Sequence, residues 1–148
     1  MQILAFLVKA KKSTYASGNK AKILGDGFHE FVFEEGELKY RDRYQAKDPR
    51  PFGGEEVVFE KGNAIWMMNY YGFMTSDTVD SKPVYVFLRK AMSLVDEEMP
   101  FRGPAKFQEG DFEYINECEG NVDKFKGTEI ILSKRKEVYR LEYHGGKI

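Results

Sequence analysis

The sequence is nearly without cysteine, and its single thiol, Cys118, excludes an internal disulfide and any zinc site of the cysteine type. Histidine is almost as scarce. His29 and His144 show no ligand-type spacing, so neither a metal nor a cofactor is expected. An excess of either charge is also missing: Lys plus Arg number 23 against 24 for Asp plus Glu, which leaves no global field to attract a phosphate backbone or an anionic membrane surface. No apolar run approaches the roughly 20 residues of a membrane span. The run Ile3 to Val8 lacks a basic leader and reads as helix rather than as signal peptide. A P-loop, a dinucleotide-type glycine fingerprint and a nucleophile elbow are all absent, which removes the common motif-bearing enzymes. These absences predict a protein of the reducing cytoplasm with no direct nucleic-acid partner and no membrane partner.

Aromatic residues are plentiful, at 15% of the chain, within a hydrophobic content of 42%. Rings in that number favour strands, and 148 residues suffice for one core, so residues 1–148 are expected to form a single domain. Within it the chain repeats itself. Gly54 to Gly72 aligns without a gap on Gly127 to Gly145, at an offset of 73, with identities at Gly54/Gly127, Glu56/Glu129, Lys61/Lys134, Tyr70/Tyr143 and Gly72/Gly145. Upstream, Glu35 to Tyr40 matches Glu109 to Tyr114, and Phe6 to Ala10 mirrors Phe87 to Ala91. The expected repeats are 1–72 and 83–146.

Each repeat reads as one helix followed by a three- to four-stranded antiparallel meander, giving an α+β fold with two helices packed on an antiparallel sheet. Val84, Phe87, Leu88, Ala91, Leu94 and Val95 recur at helical spacing, with Asp80 or Ser81 as cap and Pro83 in the first turn. In the first helix Ile3, Phe6, Leu7 and Ala10 face inward, and Lys9, Lys11 and Lys12 are expected in solvent. Leu38, Tyr40 and Tyr44 alternate with Lys39, Arg41 and Arg43 as one dry and one wet strand face. Lys61, Gly62 and Asn63 read as a tight hairpin turn, and Lys134, Arg135 and Lys136 as its counterpart, hence as a solvated turn rather than a phosphate patch.

Three features carry candidate chemistry. Asp42 and Asn116 are equivalent in the repeat and lie on an apolar strand face, where each either ties down a loop backbone or lines a cavity between the units with Tyr44. Cys118 takes the place of Tyr44 in the second copy, where a small, buried and unreactive residue is expected. On the last strand of each copy, Ile65, Met67, Asn69 and Tyr71 become Val138, Arg140, Glu142 and His144, so an apolar surface has a charged counterpart that suits a ligand, a partner or the other unit.

The blocks Phe6 to Tyr15, Met68 to Gly72, Pro100 to Pro104 and Tyr143 to Gly146 resemble a bacterial domain family of unknown function, found alone or C-terminal to Xre-type helix-turn-helix regulators. The resemblance covers nearly the whole chain and implies a sensing or dimerisation role, with no catalytic residues to carry over. Because the sequence starts at the first helix, a role on DNA is expected to need a separate partner.

The preferred reading is a non-catalytic, sensor-like module that binds a small molecule where the copies meet, with Asp42, Tyr44, Asn116, Asn69, Tyr71, Glu142 and His144 as candidate ligand-binding residues. A homodimerisation or protein-interaction module using Ile65, Met67 and Tyr71 is the alternative. A small enzyme working through Asp42, Glu117 or His144 comes third.

Overall fold

The computed structural model describes residues 2–48 and 50–148. Helix α1 (Gln2–Ser13) runs as far as its apolar spacing lasts, and a 3₁₀ turn (Tyr15–Ser17) closes it with Gly18 in the left-handed region at φ 79°. Helix α2 (Ser81–Met92) begins at Asp80, whose side chain accepts from the Lys82 backbone N–H at 3.1 Å. It stops at Met92. Leu94 and Val95 therefore fall beyond the helix expected to hold them, the first exposed and the second buried in the following loop.

Nine strands form one antiparallel sheet: β1 (Lys22–Ile23), β2 (His29–Glu35), β3 (Leu38–Gln45), β4 (Phe52–Glu60), β5 (Asn63–Met74), β6 (Lys106–Glu109), β7 (Phe112–Asn121), β8 (Lys124–Ser133) and β9 (Lys136–Lys147). Their spatial order is β1-β2-β3-β4-β5-β9-β8-β7-β6, two meanders joined along β5 and β9. The α+β class and the two helices on an antiparallel sheet stand as expected, with the short β1 as an additional strand in the first meander.

Both meanders pair in the same register. Asp42 lies opposite Glu56 and Asn116 opposite Glu129; Tyr44 opposite Gly54 and Cys118 opposite Gly127. Each long hairpin shifts register at the same place, between Val58 and Phe59 in one and Ile131 and Leu132 in the other. At the seam Tyr70 pairs with Tyr143, its own counterpart. The two-residue turns are Lys61-Gly62 and Lys134-Arg135, with φ of 49° and 83° and of 49° and 69°, the double positive φ of a type I′ turn that matches strand twist. Gly54 and Gly127 are held to glycine by close approach: a Cβ at either would collide with the tyrosine lying across from it, Tyr70 or Tyr143.

One face of the sheet carries both helices and the core. Tyr40, Val58, Trp66, Met68, Tyr114, Ile131 and Leu141 are fully buried there, α1 packs on β2 and β3, and α2 on β7. Phe101 from the loop before β6 stacks on Phe125 with ring centroids 3.7 Å apart, and both stack on Trp66. The other face is open. Ile65 and Val138, expected on it, are the residues skipped by the two register shifts, and the bulge turns them to the core: Val138 is buried and Ile65 is packed half-buried against the core cluster. No helix among the described residues is long and apolar enough to cross a membrane.

Candidate functional site

Strand alternation places one carboxylate of each meander, Glu56 on β4 and Glu129 on β8, on the core face, where both are fully buried. An unpaired buried charge costs several kcal/mol, so each needs a cation and hydrogen-bond donors. Glu129 receives Arg102 in a fork, at 3.1 Å from Nε and 2.6 Å from Nη2, and further bonds from the Tyr114 and Tyr139 hydroxyls at 3.0 and 3.2 Å. Glu56 receives Lys11 at 2.5 Å and the Tyr40 hydroxyl. Lys11 is thus fully buried rather than solvated: it sits one turn after Leu7 on the inward stripe of α1, and it also donates to the Phe101 carbonyl at 2.8 Å. Burial pushes the Lys11 ammonium below the usual range, against the opposing pull of Glu56.

Asp42 lies next to this layer, 2% exposed, and accepts the Tyr70 hydroxyl on Oδ1 at 2.6 Å. Its second oxygen accepts no hydrogen bond among the described residues. Burial, with Glu56 close by, pushes its carboxyl up to about 7, although the Tyr70 bond, Lys11 and Arg102 pull the other way.

Asp42 also faces a cavity of about 370 Å³, open to solvent, between the first meander, the 3₁₀ turn and α2. Tyr70 and Arg102 share its buried floor, with the Arg102 guanidinium 5.4 Å from the centre of the Tyr70 ring. Phe31, Tyr44, Phe52 and Tyr85 form aromatic walls, and the exposed Lys47, Arg50 and Arg89 stand at the mouth. Tyr15 and Tyr85 also line the cavity, with their hydroxyls buried and without a hydrogen-bond partner among the described residues. Leaving a buried polar group unpaired costs about 1–3 kcal/mol. Such a chamber can take a small organic molecule, with apolar area from the rings and orientation from Asp42.

The residues expected to bind ligand divide between the two faces. Asp42 and Tyr44 line the cavity, which lies between the first meander and the second unit's helix but to one side of the Tyr70/Tyr143 seam. Asn116 does not reach it: its Nδ2 donates to the Gly103 carbonyl at 2.9 Å and its Oδ1 accepts from Tyr143 at 2.8 Å, the bonds of a loop anchor. Asn69, Tyr71, Glu142 and His144 come together on the open face, Asn69 opposite His144 and Tyr71 opposite Glu142, and are all exposed. Glu117 is exposed on that face too, so Asp42 cannot converge with Glu117 and His144. Cys118 is half-buried rather than buried, like Tyr44 at the same register position, and burial raises its thiol pKa. No group of three or more His, Cys, Asp or Glu among the described residues is placed to hold a metal.

Lys11, Glu56, Arg102, Glu129, Tyr15 and Tyr85 were not singled out by sequence reasoning. One signal did point to the two glutamates: they are identical in the repeat, and strand alternation puts them beside Val58 and Ile131 on the dry face.

No curated protein and no solved structure matches the chain significantly. A family model described as "Domain of unknown function (DUF5680)" matches residues 42–148, which contain both glutamates, Asp42, Arg102, α2 and the seam strands. On that match the chain belongs to this family of unknown function.

Proposed function

We propose that the chain is a non-catalytic, sensor-like module that binds a small organic molecule in the cavity between the first meander and α2. The observation that carries this reading is the cavity itself, about 370 Å³ walled by aromatic rings, with Asp42 at its floor keeping one oxygen free of hydrogen bonds. Elsewhere in the same buried layer the carboxylates are saturated with donors, as at Glu129. Polar groups held unpaired at some expense to folding mark a place kept for something else. The shared register of the two meanders supports an internal duplication, in which one half closed and the other kept its opening. The likeness of the sequence blocks to effector halves of bacterial helix-turn-helix regulators points the same way, with the ligand as a cytoplasmic signal passed to a DNA-binding partner.

The reading is tested by recording amide NMR spectra of the protein against a library of small aromatic compounds. Binders should shift resonances of Asp42, Tyr44, Phe52 and Leu88, and the shifts should vanish in Leu88→Trp, which fills the chamber from α2. A library in which no compound moves these resonances, or whose effects persist in Leu88→Trp, would overturn the assignment.

A further inference from the structure

The two ends of the cavity differ in charge. At the floor, two buried cations, Lys11 and Arg102, stand among three carboxyls, Glu56, Glu129 and Asp42, so with Asp42 ionised the layer lacks one positive charge. The walls are the rings of Phe31, Tyr44, Phe52, Tyr70 and Tyr85, whose π faces attract a cation. At the mouth the balance reverses. Lys47, Arg50 and Arg89 form no ion pair among the described residues, while the one acid beside them, Asp48, is engaged by the Ser81 hydroxyl at 2.5 Å.

Resting on the cavity assignment above, we infer that the ligand is a zwitterion with an aromatic or otherwise planar apolar body, bound with a cationic nitrogen inward at Asp42 and an anionic group outward at Lys47, Arg50 and Arg89. An ammonium at the floor supplies the charge the buried layer lacks and donates to the Asp42 oxygen that accepts no other hydrogen bond. A neutral apolar molecule would leave that oxygen unpaired, and an anion placed inward would meet Asp42 with Glu56 behind it, because the cation at the floor, Arg102, is already held in a fork by Glu129. The outward group is a carboxylate or a phosphate, both of which suit arginine and lysine at an exposed mouth.

The groups facing Asp42 are Glu56 from β4, Tyr70 from β5, Lys11 from α1, Arg102 from the loop before β6, and the phenols Tyr15, Tyr40 and Tyr44. With a carboxyl that titrates near 7 in this company, an inward cation draws off its proton, so binding releases protons around neutral pH and tightens as pH rises from 6 to 8.

The experiment is calorimetric titration of the full chain with 4-(aminomethyl)benzoate, benzylamine and 4-methylbenzoate, in two buffers of different ionisation heat, alongside 4-(aminomethyl)phenyl phosphate to separate the two outward groups. The zwitterions should bind more tightly than either singly charged analogue by roughly tenfold or more, the worth of one charge-assisted hydrogen bond. They should also release protons at pH 7. Asp42→Asn should abolish the preference for the amine and the proton release, and Arg50→Gln with Arg89→Gln the preference for the anion. If 4-methylbenzoate binds as well as the zwitterion while shifting the same cavity resonances, the polarity is wrong and the cavity reading survives. If none of the four binds although the library yields cavity binders, the zwitterion is overturned alone; if the library also fails, both readings fall.

Discussion

Asp42 and Asn116 hold the same place in the two meanders, each beneath a tyrosine from the seam and opposite a buried glutamate, yet one faces a cavity and the other a wall of protein. In the second half the segment that leads into β6 through Ala105 folds inward, so that Gly103 meets Tyr114 and Asn116 while Arg102 reaches Glu129. In the first half the partner strand continues straight past, with Phe31 opposite Asp42 and His29 opposite Tyr44. The other side of the comparison is the connection that follows. β7 and β8 zip down to a two-residue turn at Val122 and Asp123, whereas β3 and β4 part at Gln45 and Gly53, and Ala46, Lys47, Asp48 and Arg50 beyond them line the cavity. The same strand scaffold is thus plugged by a loop on one side and left open on the other. An amide that donates and accepts suits the plugged side, and a carboxyl the open one.

If that contrast is right, the closed half carries more of the stability. The largest effect is expected from Arg102→Met, which strands Glu129 without its cation and should cost about 3–5 kcal/mol in urea unfolding at pH 7. Lys11→Met likewise leaves the buried Glu56 without its cation and the Phe101 carbonyl without that donor, but it breaks one bond to the carboxylate where Arg102→Met breaks a fork, and should cost less; an equal or greater loss would break the comparison.

Next in size is a pH effect confined to the open half. The folded-state pKa of Asp42 is raised from 3.8 to about 7, so the native state keeps a proton that the unfolded chain releases. That contribution is fully present below pH 4 and is lost as pH rises to about 7, on the order of 4 kcal/mol. The difference in unfolding free energy between wild type and Asp42→Asn, followed from pH 4 to pH 8, should therefore tilt steadily towards the variant and then level off. A flat difference would remove Asp42 from the titrating groups.

Smaller again is the anchor. Asn116→Ala leaves the Gly103 carbonyl and the Tyr143 hydroxyl without partners and should lower stability by about 1–3 kcal/mol. Asp42→Ala at pH 8 should leave stability unchanged or raise it, since only the Tyr70 hydroxyl loses a partner and a buried charge disappears. Equal losses in both variants would make Asp42 an anchor as well. The smallest difference lies in the turns, where Arg135 occupies at φ 69° the position that Gly62 fills in the first half. Arg135→Gly should stabilise the fold by about 1 kcal/mol of relieved strain, seen as a higher melting temperature, with no effect on the cavity.

Much of this fold was legible because it is local. Asp80 with Pro83 announces α2, Lys61-Gly62 a type I′ turn, and the spacing of Tyr40, Val58 and Met68 the dry side of each strand. The matched positions of Glu56 and Glu129 on the dry face are a signal from which the buried layer could have been found. Lys11 was misjudged because a lysine among lysines reads as solvent-facing, and nothing near it in the chain reveals the carboxylate 45 residues away that draws it inward. Asn116 was grouped with Asp42 for a related reason: periodicity assigns a residue to a face, but not to what covers that face.

The sequence by itself determined most of the elements and the faces of the strands, since these follow from side-chain spacing and turn chemistry over a few residues. Only the tertiary structure decided that Asp42 borders a cavity while Asn116 secures a loop, that Lys11 and Arg102 enter the core, and that Tyr15 and Tyr85 are left without partners. Each of those outcomes depends on which distant segment arrives to fill the space above a strand, as when the Phe101 carbonyl meets a lysine 90 residues before it. Burial and pairing are properties of that arrival, and no local pattern contains them.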